Sequence, residues 1–84
     1  MADRRAQVRI AARLRRAGLG NLGDWKPVAR GVSEMRVIVE PGYRLYFTQR
    51  GTATIVMLTG GDKSTQKRDI KNAQRIAREL ERQQ

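Results

Sequence analysis

The chain has 84 residues, with eighteen Lys/Arg against eight Asp/Glu, a formal net charge of +10 and neither histidine nor cysteine. That length makes one small domain spanning residues 1–84 with a thin core, and the missing residue types rule out a disulfide framework and argue against a structural or catalytic zinc. No apolar run approaches the roughly 20 residues of a membrane span and no signal-peptide core follows Met1, so a cytoplasmic protein with no membrane association and no cofactor is expected.

Charge is the stronger constraint. Four of the eighteen cations are lysine and fourteen arginine. Arginine pairs phosphate bidentately through a planar fork and stacks on bases, as a lysine ammonium does not. A field of this sign favours nucleic acid over the other two candidates, an anionic membrane surface and an acidic protein partner.

Residues 3–17 read as a helix. Ala6, Ile10, Leu14 and Ala17 form a narrow apolar stripe, and Arg5, Arg9, Arg13 and Arg16 fall on the other side, where they read as a solvated face. Gly18 and Gly20 end it, glycine being suited to the left-handed C-cap. Residues 18–33 read as a Gly-rich loop around Asn21, Gly23, Asp24, Trp25, Lys26, Pro27 and Gly31, with Trp25 as a lid on the core or, less favoured, a base-stacking platform.

Three strands follow. Ser33 to Glu40 alternates, with Met35, Val37 and Val39 on one face and Glu34, Arg36 and Ile38 on the other. Pro41-Gly42 marks a tight turn. Tyr43 to Arg50 places Tyr43, Leu45 and Phe47 on one side and Arg44, Tyr46 and Thr48 on the other. Gly51 turns the chain into Thr54 to Thr59, which is apolar on both sides and so reads as central or covered on both faces. Short connections make the set an antiparallel meander. Residues 65–82 form a second helix whose Ile70, Ala73, Ile76, Ala77 and Leu80 face the sheet, with Lys71, Arg75, Arg78 and Arg82 opposite. Asp62, Ser64 and Thr65 supply capping oxygens before it. The fold class is α+β: an antiparallel sheet of about three strands packed with an N-terminal and a C-terminal helix.

If the core side of the sheet carries Met35, Val37, Val39, Leu45 and Phe47, the other face presents Arg36, Arg44 and Tyr46, with Lys63 just past the last strand. Whether Arg36 shares a face with Arg44 depends on the turn, since a one-residue slip reverses a strand's faces. Such a cluster suits phosphodiester chemistry on RNA, where the ribose 2′-hydroxyl is an internal nucleophile. Arginine and lysine supply charge stabilisation. Lys63 is a candidate acid or base if neighbouring cations depress its pKa, and Tyr46 a candidate for base stacking or proton relay. A purely solubilising or phosphate-binding role for the same cations stays open.

The strings Gly20-Asn21-Leu22-Gly23-Asp24-Trp25-Lys26-Pro27-Val28, Gly31-Val32-Ser33-Glu34-Met35-Arg36, Pro41-Gly42-Tyr43-Arg44-Leu45-Tyr46-Phe47 and Gly60-Gly61-Asp62-Lys63-Ser64 resemble the RelE/ParE toxin superfamily, and within it the HigB-type addiction module killer proteins. The resemblance covers residues 4 to 80 and implies a RelE-like, microbial-RNase-like fold. It also implies the toxin of a type II toxin–antitoxin module, neutralised by a cognate antitoxin and cutting messenger RNA on the ribosome without a metal. Operator DNA would be met only through the antitoxin complex. By motif position Arg44 matches a phosphate-stabilising arginine and Lys63 a basic residue that assists catalysis. Arg44, Lys63 and Tyr46 are therefore the expected catalytic set, with Arg36, Lys26 and Arg68 for RNA contact. The helical position that holds a catalytic tyrosine in some members falls at Asp69 or its neighbours. Members usually begin with a strand and a helical turn about 20 residues ahead of this Met1. A lost strand would expose a sheet edge, which predicts weakened stability or a homodimer. A non-catalytic RNA- or antitoxin-binding module and a gyrase-directed toxin of the ParE side are the alternative readings.

Overall fold

The computed structural model describes residues 4–37, 42–50 and 54–83. In chain order these form helix α1 (Arg4–Gly18), strands β1 (Trp25–Ala29), β2 (Val32–Val37), β3 (Tyr43–Arg50) and β4 (Thr54–Asp62), a 3-10 turn (Lys63–Thr65) and helix α2 (Gln66–Arg82). The strands pair antiparallel in the order β1-β2-β3-β4. The α+β class and the two helices agree with the sequence reading, and the sheet has four strands rather than three. Ile38, Val39, Glu40 and Pro41 of the first expected strand and its turn, and the Gly51 turn, lie outside the described residues.

The added strand, β1, sits inside the stretch expected to be a loop. Trp25 pairs with Met35, Lys26 with Glu34 and Pro27 with Ser33, and the register shifts between Pro27 and Ala29. Proline donates no ladder hydrogen bond, so it is tolerated here because β1 is an edge strand. Gly31, at φ +75°, turns the chain back into β2, a conformation glycine adopts without Cβ strain.

Each face of the sheet carries its own cluster. Met35, Val37, Leu45 and Phe47 pack with Ala17, Ile10 and Leu14 of α1, joined by Leu22, Tyr43 and Ile55. Val32 and Tyr46 pack on the other face with Ala73, Ile70 and Ala77 of α2, joined by Val28, Ala29 and Leu58. The helices therefore cover opposite faces, which corrects the expectation that the Arg44–Tyr46 face is open. The expected apolar face is borne out at Met35, Val37, Leu45 and Phe47. Trp25 is 40 % exposed and its ring lies 6.1 Å from that of Phe47, tilted by 59°, a rim over the α1-side core.

β4 is an edge strand in this sheet, not a central one, but it does meet both layers. A bulge makes this possible: Tyr46 pairs with Thr59 and Phe47 with Met57, so Leu58 is the extra residue. Leu58 joins the α2-side cluster while Ile55 joins the α1-side cluster. Strand β4 also runs through Gly60 and Gly61 to Asp62, three residues beyond the expected Thr59. Among the described residues no helix is long and apolar enough to cross a membrane.

Arg13 departs from the expected solvated stripe. Arg9 and Arg16 are exposed, but Arg13 is only 7 % exposed. Its Nε–H donates to the Arg36 carbonyl and its Nη2 to the Asp24 carbonyl, each at 3.1 Å. The guanidinium thus ties α1 to β2 and to the loop before β1. Gly23, at φ +61°, lies directly over it, and a Cβ there would come within 2.7 Å of Nη1.

Gly23→Ala should cost about 1–3 kcal/mol through overpacking and left-handed backbone strain, read from urea unfolding midpoints. In an Arg13→Ala background the cost should shrink toward the backbone part alone. Equal costs in both backgrounds would refute the contact.

Candidate functional site

The register places the candidate cations. Arg36 is the Cα partner of Arg44, and Arg44 of Gly61. In the next row Val37 faces Tyr43 and Tyr43 faces Asp62. Arg36 and Arg44 thus share a face, the question that the turn left open, and Lys63 follows directly from this end of β4. Arg36 is exposed, and its amide donates to the Asp24 carbonyl at 3.1 Å, which anchors the row to the preceding loop.

Arg44 is held from below. Its side chain is 14 % exposed, and Nε is ion-paired with Oε1 of Glu34, a residue with no exposed surface. A carboxylate is tolerated at such a depth only beside a countercharge. Tyr46, the cross-strand partner of Glu34, is likewise fully buried under α2. Burial pushes its hydroxyl up to about 12, with Glu34 and Asp69 adding to the effect and Arg44 opposing it. The expected base-stacking surface at Tyr46 is therefore absent, because the α2 layer covers the ring.

The turn between β4 and α2 is built on two carboxylates. Asp62 accepts from the Ser64 hydroxyl at 2.5 Å and from the Ser64 amide at 2.9 Å. Those bonds, the hydroxyl first, hold Asp62 below the usual carboxylate range. Thr65 Oγ1 donates to Oδ2 of the buried Asp69 at 2.5 Å. The Asp69 carboxylate lies against Gly61: a Cβ at Gly61 would overlap Asp69 Oδ2 and stand 2.8 Å from Thr65 Oγ1. Gly61 thus lets the start of α2 settle onto β4. An acidic group in the first turn of α2 also suits the helix dipole.

Lys63 is exposed at the head of this turn, and it lines an open depression with Ser64, Gln66, Lys67 and Arg68. Arg68 is 72 % exposed, with Nε 3.7 Å from Asp69 Oδ1. The fold therefore gathers Arg36, Arg44, Lys63 and Arg68 around one end of β3 and β4. Lys26 stands apart. It is exposed on β1 opposite Glu34, three strand spacings or about 14 Å of sheet width from β4.

Sequence reasoning missed Glu34 and Asp69, the two buried acids that hold the basic groups and the turn. A local signal was present for each: Glu34 alternates onto the same face as Arg36, and Asp69 follows the capping residue Thr65 by one helical turn. Among the described residues no group of three or more His, Cys, Asp or Glu is placed to hold a metal ion.

Residues 1–81 match the family described as Phage derived protein Gp49-like (DUF891). The chain belongs to that family, a RelE/HigB-like toxin family. It is 45 % identical over 76 residues to an uncharacterized protein of Haemophilus influenzae, covering 90 % of this chain and 77 % of that relative. No solved structure matches it. In this Gp49-like chain the strings quoted above for the RelE/ParE resemblance include the segments that build the Arg36–Arg44–Gly61 row and the Lys63 turn.

Two measurements test the buried network. Glu34→Ala strands Arg44 and should cost about 3–5 kcal/mol, whereas Glu34→Leu with Arg44→Met should recover most of that loss; equal stability of all three chains would contradict the buried pair. In alkaline absorbance titration, the phenolate phase lost in Tyr46→Phe should appear near pH 12. A tyrosine raised in the folded state leaves stability unaffected below its ordinary 10.0 and removes it as pH rises toward about 12. A Tyr46 phase at the ordinary value would show the ring to be open to water.

Proposed function

We propose that this chain is the toxin of a type II toxin–antitoxin module, of the HigB type, and that it cuts messenger RNA on the ribosome until a cognate antitoxin neutralises it. The observation that carries the reading is the alignment of Arg36, Arg44 and Gly61 across three strands with Lys63 at the following turn. Cations at one end of a sheet, held on rigid strands, suit a transferring phosphodiester.

In this reading the ribose 2′-hydroxyl attacks the adjacent phosphorus. The new O2′–P bond forms as the P–O5′ bond breaks, leaving a 2′,3′-cyclic phosphate and a 5′-hydroxyl. The protein orients the strand, stabilises charge at the phosphoryl oxygens and moves two protons. Arg44 serves the charge, its direction set by Glu34. Lys63, exposed and ringed by Lys67 and Arg68, is the group available to exchange a proton with O2′ or O5′. Tyr46 contributes from beneath as a neutral hydroxyl in the field of Glu34, Asp69 and Arg44. Arg36 and Arg68 contact flanking phosphates, and Lys26 a more distant one.

One observation favours a second reading, a non-catalytic module that binds RNA or antitoxin. Glu34 already supplies Arg44 with a countercharge, which weakens the field Arg44 can offer a phosphate.

Messenger-RNA 5′-end mapping after brief induction of the chain, beside Arg44→Lys and Lys63→Ala variants, separates the two. Cleavage predicts new ends within translated regions that fall at least about a hundredfold in each variant, as loss of a charge-stabilising or proton-transferring group does. Growth arrest without new ends would sink the nuclease reading and point to a protein target such as gyrase. Neither arrest nor new ends would leave the binding module.

A further inference from the structure

A second basic concavity stands apart from Lys63. It lies between α1, the loop before β1 and the end of β2, a cleft of about 360 Å³ lined by Arg9, Arg13, Arg16, Asn21, Asp24 and Arg36 among others. Four arginines therefore meet one carboxylate. Among the described residues no carboxylate lies within ion-pair distance of any of the four. Arg13 is the buried member, and it donates to two neutral carbonyls. Burial and the neighbouring Arg16 disfavour its charged form, against a smaller opposing effect of Asp24. A partly desolvated cation without a paired anion is costly, and an anion in the cleft would relieve that cost.

The shape of the cleft narrows the choice of anion. Arg9 and Arg16 are seven residues apart on α1, a rise of about 10 Å, longer than one phosphate requires. Val37 is the one large apolar side chain in the lining, so an apolar anchor of a protein partner has little to grip. Arg36 touches both regions by different groups: its carbonyl accepts from Arg13 in the cleft, while its exposed side chain alternates onto the opposite face of the sheet beside Arg44. The cleft and the Arg44–Lys63 end thus lie on the two faces of the sheet at the same end of β2, and a strand passing from one to the other would cross at Arg36.

We infer that the arginine cleft of α1 holds backbone phosphates of a single-stranded RNA whose neighbouring phosphodiester lies at Arg44 and Lys63. This rests on the RNA reading above and adds a second anchoring site to it. Arg9 and Arg16 are the phosphate contacts, Arg36 is the bridge, and Arg13 with Gly23 shapes the wall. These are positioning residues, remote from the scissile bond.

The test is fluorescence anisotropy of the native full chain with a labelled 2′-O-methyl RNA decamer, which has no free 2′-hydroxyl and cannot be cut. Arg9→Gln with Arg16→Gln is compared with Arg75→Gln with Arg82→Gln, an equal charge change on the exposed side of α2, and far-UV circular dichroism verifies that both pairs fold. The cleft pair should weaken binding about tenfold or more near physiological salt. It should also lower the slope of log affinity against log salt by about 1.4, the share of two single-strand phosphates. The α2 pair should change affinity less than about threefold.

Equal losses in the two pairs would reduce the effect to net charge and overturn the inference, as would a native chain that does not bind the decamer at low salt. A matched-charge polyglutamate that binds more tightly than the RNA, and loses that binding in the cleft pair, would make the cleft a protein-docking site instead. A chain that binds through the cleft yet makes no cuts in cells upholds this inference while the nuclease reading fails. A chain that cuts in cells but treats both pairs alike does the reverse.

Discussion

Glu34 and Arg44 are held against each other beneath α2, and much of the sheet's α2 face is arranged around that contact. A carboxylate with no exposed surface cannot be left alone in a protein interior, so Arg44 is drawn back along the sheet instead of extending freely into water. Tyr46, beside the pair, keeps its proton because ionising it would add a third buried charge near Glu34 and Asp69. The polar groups thereby set how closely α2 can lie. Where α2 begins, Gly61 gives up a side chain so that Asp69 and Thr65 can settle on β4.

The α1 side uses a related device with a different partner. Arg13 reaches across to main-chain carbonyls of Asp24 and Arg36 in place of a carboxylate. Its anchor on β2 is the backbone of the residue whose side chain stands exposed next to Arg44. One strand position therefore serves twice, as the tether of α1 and as a surface cation. For so small a core the consequence is useful. Exposed basic groups are carried on strands clamped from both faces, and a phosphate meets cations whose backbones are already fixed.

The two helices were legible from periodicity to within a residue at their ends, because amphipathic spacing is a local property. Alternation in residues 33–37 and 43–50 likewise identified which side chains share a face. β1 was hidden: five residues that include Pro27 and follow several glycines carry little strand signal, and they become a strand because Met35 and Glu34 offer them an edge. Arg13 was misread for a similar reason. Its helical position is polar by pattern, and only the approach of Gly23 and β2 buries it. Lys63 and Arg68 were legible as surface cations because they lie next to capping residues, where side chains meet solvent.

By itself the sequence determined the element types, the apolar face of Met35, Val37, Leu45 and Phe47, the strong positive field and the absence of imidazole and thiolate chemistry. These depend on composition and on neighbours a few residues apart. Tertiary structure alone decided that α2 covers the Tyr46 face, that Glu34 neutralises Arg44, that Arg36 stands opposite Arg44, and that Arg9, Arg13, Arg16 and Arg36 share a cleft. Each of those depends on strand register and on which layer lands on which face. Both are set by contacts between residues distant in the chain, where a shift of one position exchanges the buried and exposed sides.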